Sequence, residues 1–320
     1  MRIWAVVLMM AAAACGSNKD DANAATPPAA AKTVAEPAKP PPPPPTIAAV
    51  DPKLIERGTY IAHAAGCAAC HTAFTAKGPD FEHPFAGGLE VPDTIGTWRT
   101  PNITQSKNSG IGNWTDAQIL DAVREGVRPD GSQLYPIMPY LLYNRLTDDD
   151  GKALVAYLRT VKPIDRVVEP NKLRMPKIPA PKPPNAPDPV DDPVKHGEYL
   201  ASLMLCEHCH MTPGPMGPLP DKFAGGLPFS VPMLGTGTVF SSNISPDPDT
   251  GIGKYTEEQL AQTIKTMMRP DNRPIQGPMV MMQAGWSQLD DKDIHAVAAF
   301  IKQVPAVKHK VPASTFKPNP

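Results

Sequence analysis

The chain has 320 residues, of which 41% are hydrophobic and only 6% aromatic, and its formal net charge is −1 at neutral pH. That balance lacks the basic excess of a nucleic-acid binder, so no nucleic-acid partner is expected. Two proline-rich stretches, Ser17 to Thr46 and Pro163 to Pro189, cannot bury a core and bracket two bodies of ordinary domain size. Met1-Arg2 and the apolar run Ile3 to Ala14 read as an export signal, too short for an ordinary spanning helix. Cys15 follows the four alanines Ala11 to Ala14 and precedes Gly16-Ser17, as at a bacterial lipoprotein processing site where the cysteine is acylated. Ala12 stands where such sites usually have leucine, and ordinary cleavage near the alanines is the competing reading. A lipid anchor at Cys15 would place the chain at a membrane, and stable anchoring takes more than one acyl chain. From Ser17 to Thr46 the chain is alanine, proline and charge, ending in Pro40 to Pro45, a stiff extended spacer.

The first helix opens at Asp51-Pro52, an N-cap followed by a first-turn proline, and carries Leu54, Gly58 and Ile61 on one face. It closes on Cys67-Ala68-Ala69-Cys70-His71. Two cysteines three apart can each add to a haem vinyl group, and the next histidine then faces the iron. Half of a zinc site or a thioredoxin-like pair also uses CxxC, but a zinc site finds no second pair within the unit and a redox motif gives no reason for the histidine. A second helix starts at the capping box Thr115 to Gln118. Met138 follows, between Pro136 and Pro139, a poor place for a core filler and a good one for an axial sulfur ligand. The last helix of this half starts at Thr147 with acids in its first turn. No stretch alternates convincingly enough for a sheet.

Proline dominates again from Pro163 to Pro189, after which the whole pattern recurs. His71 and His210 lie 139 residues apart, and "GTYIAHAAGCAACH" pairs with "GEYLASLMLCEHCH". "FAGGL" occurs twice, "PNIT" pairs with "SNIS", and "SGIGNWTDAQ" with "TGIGKYTEEQ". Cys206, Cys209 and His210 thus form a second haem site, with helices opening at Asp192-Pro193, Thr256 and Asp290. Its sixth ligand is ambiguous. Met279 lies ten residues after Arg269, as Met138 does after Arg128, whereas Met281 lies eight before Leu289, as Met138 does before Leu146. Met279 is preferred for its preceding proline, with Met281 as rival. His63, His83, His196, His208, His295 and His309 read as solvated or packing residues, and Met204, Met267 and Met268 as core. The expected organisation is a signal over 1–15, a spacer over 16–50, domains over 51–162 and 191–304, a linker over 163–190 and a tail over 305–320.

"CAACHTA", "FAGGL", "PNIT", "GIGNWTDAQILDAVREGVRPDGSQLYPIMPY" and "LTDDDGKALVAYL" resemble the cytochrome c subunit of membrane-bound alcohol and gluconate dehydrogenases. The first half is similar from Gly58 to Val161 and the second more loosely, and "PASTFKP" resembles related dihaem cytochromes. Those dehydrogenase subunits usually carry three haems, whereas this chain has two motifs. The resemblance implies all-α class I cytochrome c folds in tandem, two covalently bound haem c groups with His/Met ligation, and periplasmic electron transfer. It assigns Cys67, Cys70, His71 and Met138 to one haem, and Cys206, Cys209, His210 and a late methionine to the other. It also makes Gly58 and Gly197 close-approach points for the last helix, presenting Tyr157 or Phe300. The Asn102 and Asn243 loops, with Trp98 and Arg99, are expected at the haem edge.

The first functional expectation is an electron carrier. Its donor would be a dehydrogenase or quinol-oxidising complex, and its acceptor an oxidase or small cytochrome. The alternative is a dihaem enzyme, a peroxidase or thiosulfate-oxidising cytochrome, with one open or labile iron and an acid or base beside it. A haem-based sensor would need an output domain.

Overall fold

Helix α1 (Pro52–Ala64) begins where Asp51 accepts a hydrogen bond from the Lys53 amide, with proline in the first turn. The computed structural model describes residues 51–319 apart from 94, 184–187, 215–216 and 219–220. The export signal, the Cys15 anchor and the 16–50 spacer lie outside the described residues. After α1 come α2 (Cys67–His71), the pairs β1 (Phe74–Thr75) with β2 (Gly78–Pro79) and β3 (Glu90–Asp93) with β4 (Gly96–Arg99), then α3 (Asp116–Arg124), α4 (Tyr140–Tyr143) and α5 (Asp148–Thr160). The second half runs α6 (Pro193–Leu203), α7 (Cys206–Cys209), β5 (Pro213–Gly214), β6 (Gly217–Pro218), β7 (Pro228–Phe229), β8 (Gly235–Thr236) and β9 (Val239–Phe240). It continues with α8 (Glu257–Thr266), a 3-10 helix (Pro278–Met282), α9 (Gln283–Trp286), α10 (Asp291–Ile301) and β10 (Lys317–Pro318).

Capping side chains start α1, α3, α5, α6 and α8 as their sequence requires, whereas Asp290 at the start of α10 makes no side-chain cap bond. Thr115 and Thr256 close capping boxes with Gln118 and Gln259, each satisfying two amides that the helix leaves unpaired. Thr147 accepts from the Asp150 amide, and Asp192 from the amides of Val194 and Lys195. The scaffold is helical, but it is not purely α. Among the described residues five two-stranded antiparallel ladders join the loops, the longest pairing Glu90–Asp93 with Gly96–Arg99. Most are two residues long, too short to show the alternation by which a strand is recognised.

In each half the first helix crosses the last at a glycine. A methyl on Gly58 would lie 1.9 Å from the Ala153 carbonyl oxygen, and one on Gly197 1.9 Å from that of Ala296. The resulting contact turns an aromatic ring of the last helix onto a partner: Tyr157 meets Phe85 edge-on at 6.0 Å, and Phe300 meets Phe223 at 5.9 Å.

The proline-rich stretch from 163 does more than connect. Asn102 Nδ2 donates to the carbonyls of Ile164 (2.7 Å) and Arg166 (3.3 Å), and Asn144 Nδ2 to that of Pro181 (2.6 Å). The C-terminal segment repeats this. Asn243 Nδ2 donates to Val307 (2.8 Å) and His309 (3.3 Å), Phe316 is buried, and β10 pairs with β8. Both segments are straps along their own half. Asparagine side chains take carbonyls of these segments while Thr104, Ser109, Ser245 and Thr250 hydroxyls accept from their amides, so each is pinned without a strand ladder.

The halves are joined by crossed contacts between equivalent residues. The Tyr60 hydroxyl donates to Asp293, and the Tyr199 hydroxyl to Asp150 at 2.7 Å. Burial first, and then these carboxylates, hold both phenols protonated, well above the ordinary tyrosine value. Arg57 forks onto Asp150 at 2.6 and 2.8 Å. His196, at the position equivalent to Arg57, is buried and lies 3.2 Å from Asp293. Arg57 and His196 also share Asp188 of the connecting segment, at 3.2 and 2.7 Å. His196 is therefore a bridging residue, not a solvated or purely packing one. A single buried apolar cluster runs through both halves, including Ile61 and Leu158 of the first and Leu200 and Val297 of the second.

Candidate functional site

The turn between α1 and α2 is made by Gly66, whose φ of 63° lies in the left-handed region open to glycine. It reverses the chain so that Cys67, Cys70 and His71 face inward along one short helix. Both cysteines are half-buried at the cavity wall. Burial pushes the Cys67 thiol up to about 12 and that of Cys70 to about 11, the reverse of the lowered thiol of a redox motif.

His71 is buried, and its Nδ1 lies 2.8 Å from the Pro101 carbonyl oxygen. A carbonyl can only accept, so Nδ1 carries the proton and Nε2 presents a lone pair. Burial lowers the pKa of the ring, which favours this neutral form.

Cys67, Cys70, His71 and Met138 line one cavity of about 310 Å³. Met138 reaches it from a turn in which its own amide donates to the Tyr135 carbonyl and the Tyr140 amide donates back to it. Pro136 and Pro139 stiffen that turn. The rest of the wall is mainly apolar, with Ile119 and Leu154 among its residues. Arg128 also lines it, its guanidinium held below the ordinary arginine value chiefly by burial, and so does Arg99. Among the lining residues there is no carboxylate and no histidine besides His71. The donor set fits a haem: two thiols for its vinyl groups, an imidazole and a thioether for its iron, an apolar wall for its ring, and cations for its propionates. Trp98, Arg99 and Asn102 line this cavity as expected of a haem-edge loop, although the Asn102 amide is spent on the strap.

The second half builds the same turn with Leu205 at φ 62°, a conformation costly for a side chain. His210 Nδ1 lies 2.7 Å from the Ser242 carbonyl oxygen, so its Nε2 is likewise presented. Burial pushes the thiols of Cys206 and Cys209 up to about 12. Met279, Met281 and Met282 are all half-buried, and of the three Met279 and Met282 pack on the buried cluster. Met282 is turned toward the first half, its Sδ 2.5 Å from where a methyl on Gly66 would be.

The two attachment turns are neighbours. Leu203 and Leu205 line the first-half cavity, and a charge on Cys70 would raise the Cys209 thiol further. Tyr143, whose hydroxyl donates to the Ala65 carbonyl at 2.7 Å, is buried within range of Cys67, Cys70 and Cys209. Reading the motifs alone passes over these cross-half residues. The repeat does pair Tyr60 with Tyr199 and Asp150 with Asp293, and that pairing of buried polar residues was the available signal.

A family model for cytochrome c matches residues 55–162. The fructose dehydrogenase cytochrome subunit of Gluconobacter japonicus is 37% identical over 279 residues, covering 82% of this chain and 54% of that protein. The cytochrome c subunit of alcohol dehydrogenase (quinone) from Gluconacetobacter polyoxogenes is 34% identical, covering 84% and 60% respectively. A dihaem cytochrome c-type protein of Cereibacter sphaeroides is 34% identical over 272 residues, covering 79% of this chain and 86% of that protein. The chain thus spans little more than half the length of these dehydrogenase subunits, but most of the length of the dihaem protein.

Proposed function

The chain belongs to the cytochrome c family, and from that premise we propose that it is a dihaem electron carrier built of two tandem class I units, 51–162 and 191–304, each finished by its strap. Electrons would enter from a dehydrogenase or quinol-oxidising donor and leave to an oxidase or small cytochrome. The observation that carries this reading is the placing of His71 and Met138 on one mainly apolar cavity with Cys67 and Cys70. Haem c supplies the one-electron Fe(III)/Fe(II) couple.

The chain's own residues do the rest. Hydrogen bonds to Pro101 and Ser242 aim His71 Nε2 and His210 Nε2. The Met138 thioether favours the reduced metal and raises the potential. Met279 takes the corresponding place in the second unit, which its packing on the core supports. The apolar wall excludes water, and no lining carboxylate stands ready as a distal acid or base for enzyme chemistry at the first site. Two fixed ligands per iron suit electron transfer, because the coordination need not change with each electron.

The spectrum of the ferric protein tests this. Two haems' worth of the red charge-transfer band of sulfur-ligated haem, with slow cyanide binding, is the expected result. A fast-binding high-spin haem would instead point to the dihaem enzyme.

A dehydrogenase as donor is supported by the relatives, several of which are named as dehydrogenase cytochrome subunits. For location we propose the periplasmic side of a bacterial membrane, held by acylated Cys15 and the proline spacer, which together raise the effective concentration of membrane partners. Cys15→Ser is expected to move the protein from the membrane pellet to the soluble periplasmic fraction. A variant that still pellets would refute the anchor.

A further inference from the structure

Tyr143 and Trp286 are equivalent residues, each three before the leucine that leads into the last helix of its half. Tyr143 bonds its own half. Trp286 reaches across: its buried Nε1 donates to the carbonyl of Ala64 in α1, at 3.1 Å. Two neighbours of Trp286 press on the same turn. A methyl on Gly285 would lie 2.6 Å from the His63 carbonyl oxygen, and Met282 Sδ lies against Gly66. Residues 282–286 are therefore seated on residues 63–66, the turn that leads directly into Cys67. The 3-10 helix bearing Met279 runs without a break into α9, which carries Gly285 and Trp286.

We propose that this seat positions the second haem's sulfur ligand, so that the attachment turn of the first half holds the methionine loop of the second. Trp286 is then a positioning residue that acts on the second iron through Met279. The proposal rests on the reading of Met279 as that ligand. A short loop presents its sulfur only while its backbone is held, and here the holding contacts lie on one side in the other half. The indole N–H bond, the absence of a side chain at Gly285 and the Met282 packing all act on the same few residues. Loss of one such neutral hydrogen bond shifts an attached–detached equilibrium by about fivefold.

Trp286→Phe in the full-length holoprotein removes the donor and keeps an aromatic ring. Cyanide can bind only where the sulfur has left, so the rate of cyanide binding reads the detached fraction. One of the two ferric haems is expected to take cyanide about fivefold faster than in the wild type. The midpoint potential of that haem should fall, and the other should be unchanged. Combining the substitution with Met138→Ala identifies the haem, because the first iron is then already open and the remaining slow phase belongs to the second. Gly285→Ala, which pushes the loop off His63 by another route, should accelerate the same phase. Unchanged cyanide rates and potentials in both variants, with only a lowered melting temperature, would overturn the proposal and leave Trp286 as packing. Acceleration confined to the first haem would overturn it as well. A wild-type protein without two sulfur-ligated ferric haems would fail the underlying reading instead, and would do so before either variant is made.

Discussion

Gly58→Ala and Gly197→Ala are each expected to destabilise the protein by about 3 kcal/mol or more. Each added methyl would sit 1.9 Å from a carbonyl oxygen of the opposing helix, and backbone cannot turn aside as a side chain can. The helices must separate, which breaks the edge contacts of Tyr157 with Phe85 or Phe300 with Phe223. Gly151→Ala is the control. Its methyl would meet only Leu120 Cδ1, at 2.8 Å, a flexible end that can shift. The gain in helix propensity of about 1 kcal/mol then offsets the crowding, so this variant should be near neutral. Chemical denaturation of the three variants decides the matter. If Gly58→Ala and Gly151→Ala lose similar stability, the crossing at Gly58 is not the close approach described. Because one buried cluster runs through both halves, the loss should shift a single transition and not split it in two.

Met138→Ala is expected to have the largest effect on the first site. The red charge-transfer band should fall to half, one midpoint potential should drop, and one haem should bind cyanide without delay. Truncating this half-buried side chain should also cost about 2 kcal/mol. The other haem should keep its band and its slow cyanide phase, since Met138 takes no part in the contacts of residues 282–286 with 63–66 that seat the second methionine loop. An equal response of both haems would mean that Met138 serves a structural role common to the two sites. Titration with cyanide, followed in the Soret and red regions, separates these outcomes.

Much of this was legible before any coordinates. The capping boxes at Thr115 and Thr256, the N-caps at Asp51 and Asp192 and the glycines at 58 and 197 are local or repeated signals, and each appears where the chain places it. The bringing together of Cys67, Cys70, His71 and Met138 was legible from motif and setting. The crossed pairs Tyr60–Asp293 and Tyr199–Asp150 were not. A repeat says which residues are equivalent but not which surfaces meet. The straps were hidden for another reason. Composition marks Pro163 to Pro189 as unable to form a core, yet free proline-segment carbonyls can still be held by Asn102 and Asn144. His196 looked unremarkable because its partner in the repeat is Arg57, and only the structure shows both reaching Asp188.

The crossed tyrosine–aspartate pairs have the form of an isologous interface, in which each partner offers the other the same patch. In a homodimer such an interface would loosen on dilution, and either protomer could pair with any other. Here both patches belong to one chain, and Asp188 in the connecting segment bonds to each side. Pairing is therefore first-order, set by the tether and not by concentration. Every molecule carries its two sites in a fixed ratio of one to one, matched at any dilution, and the two patches are free to differ, as Arg57 and His196 already do.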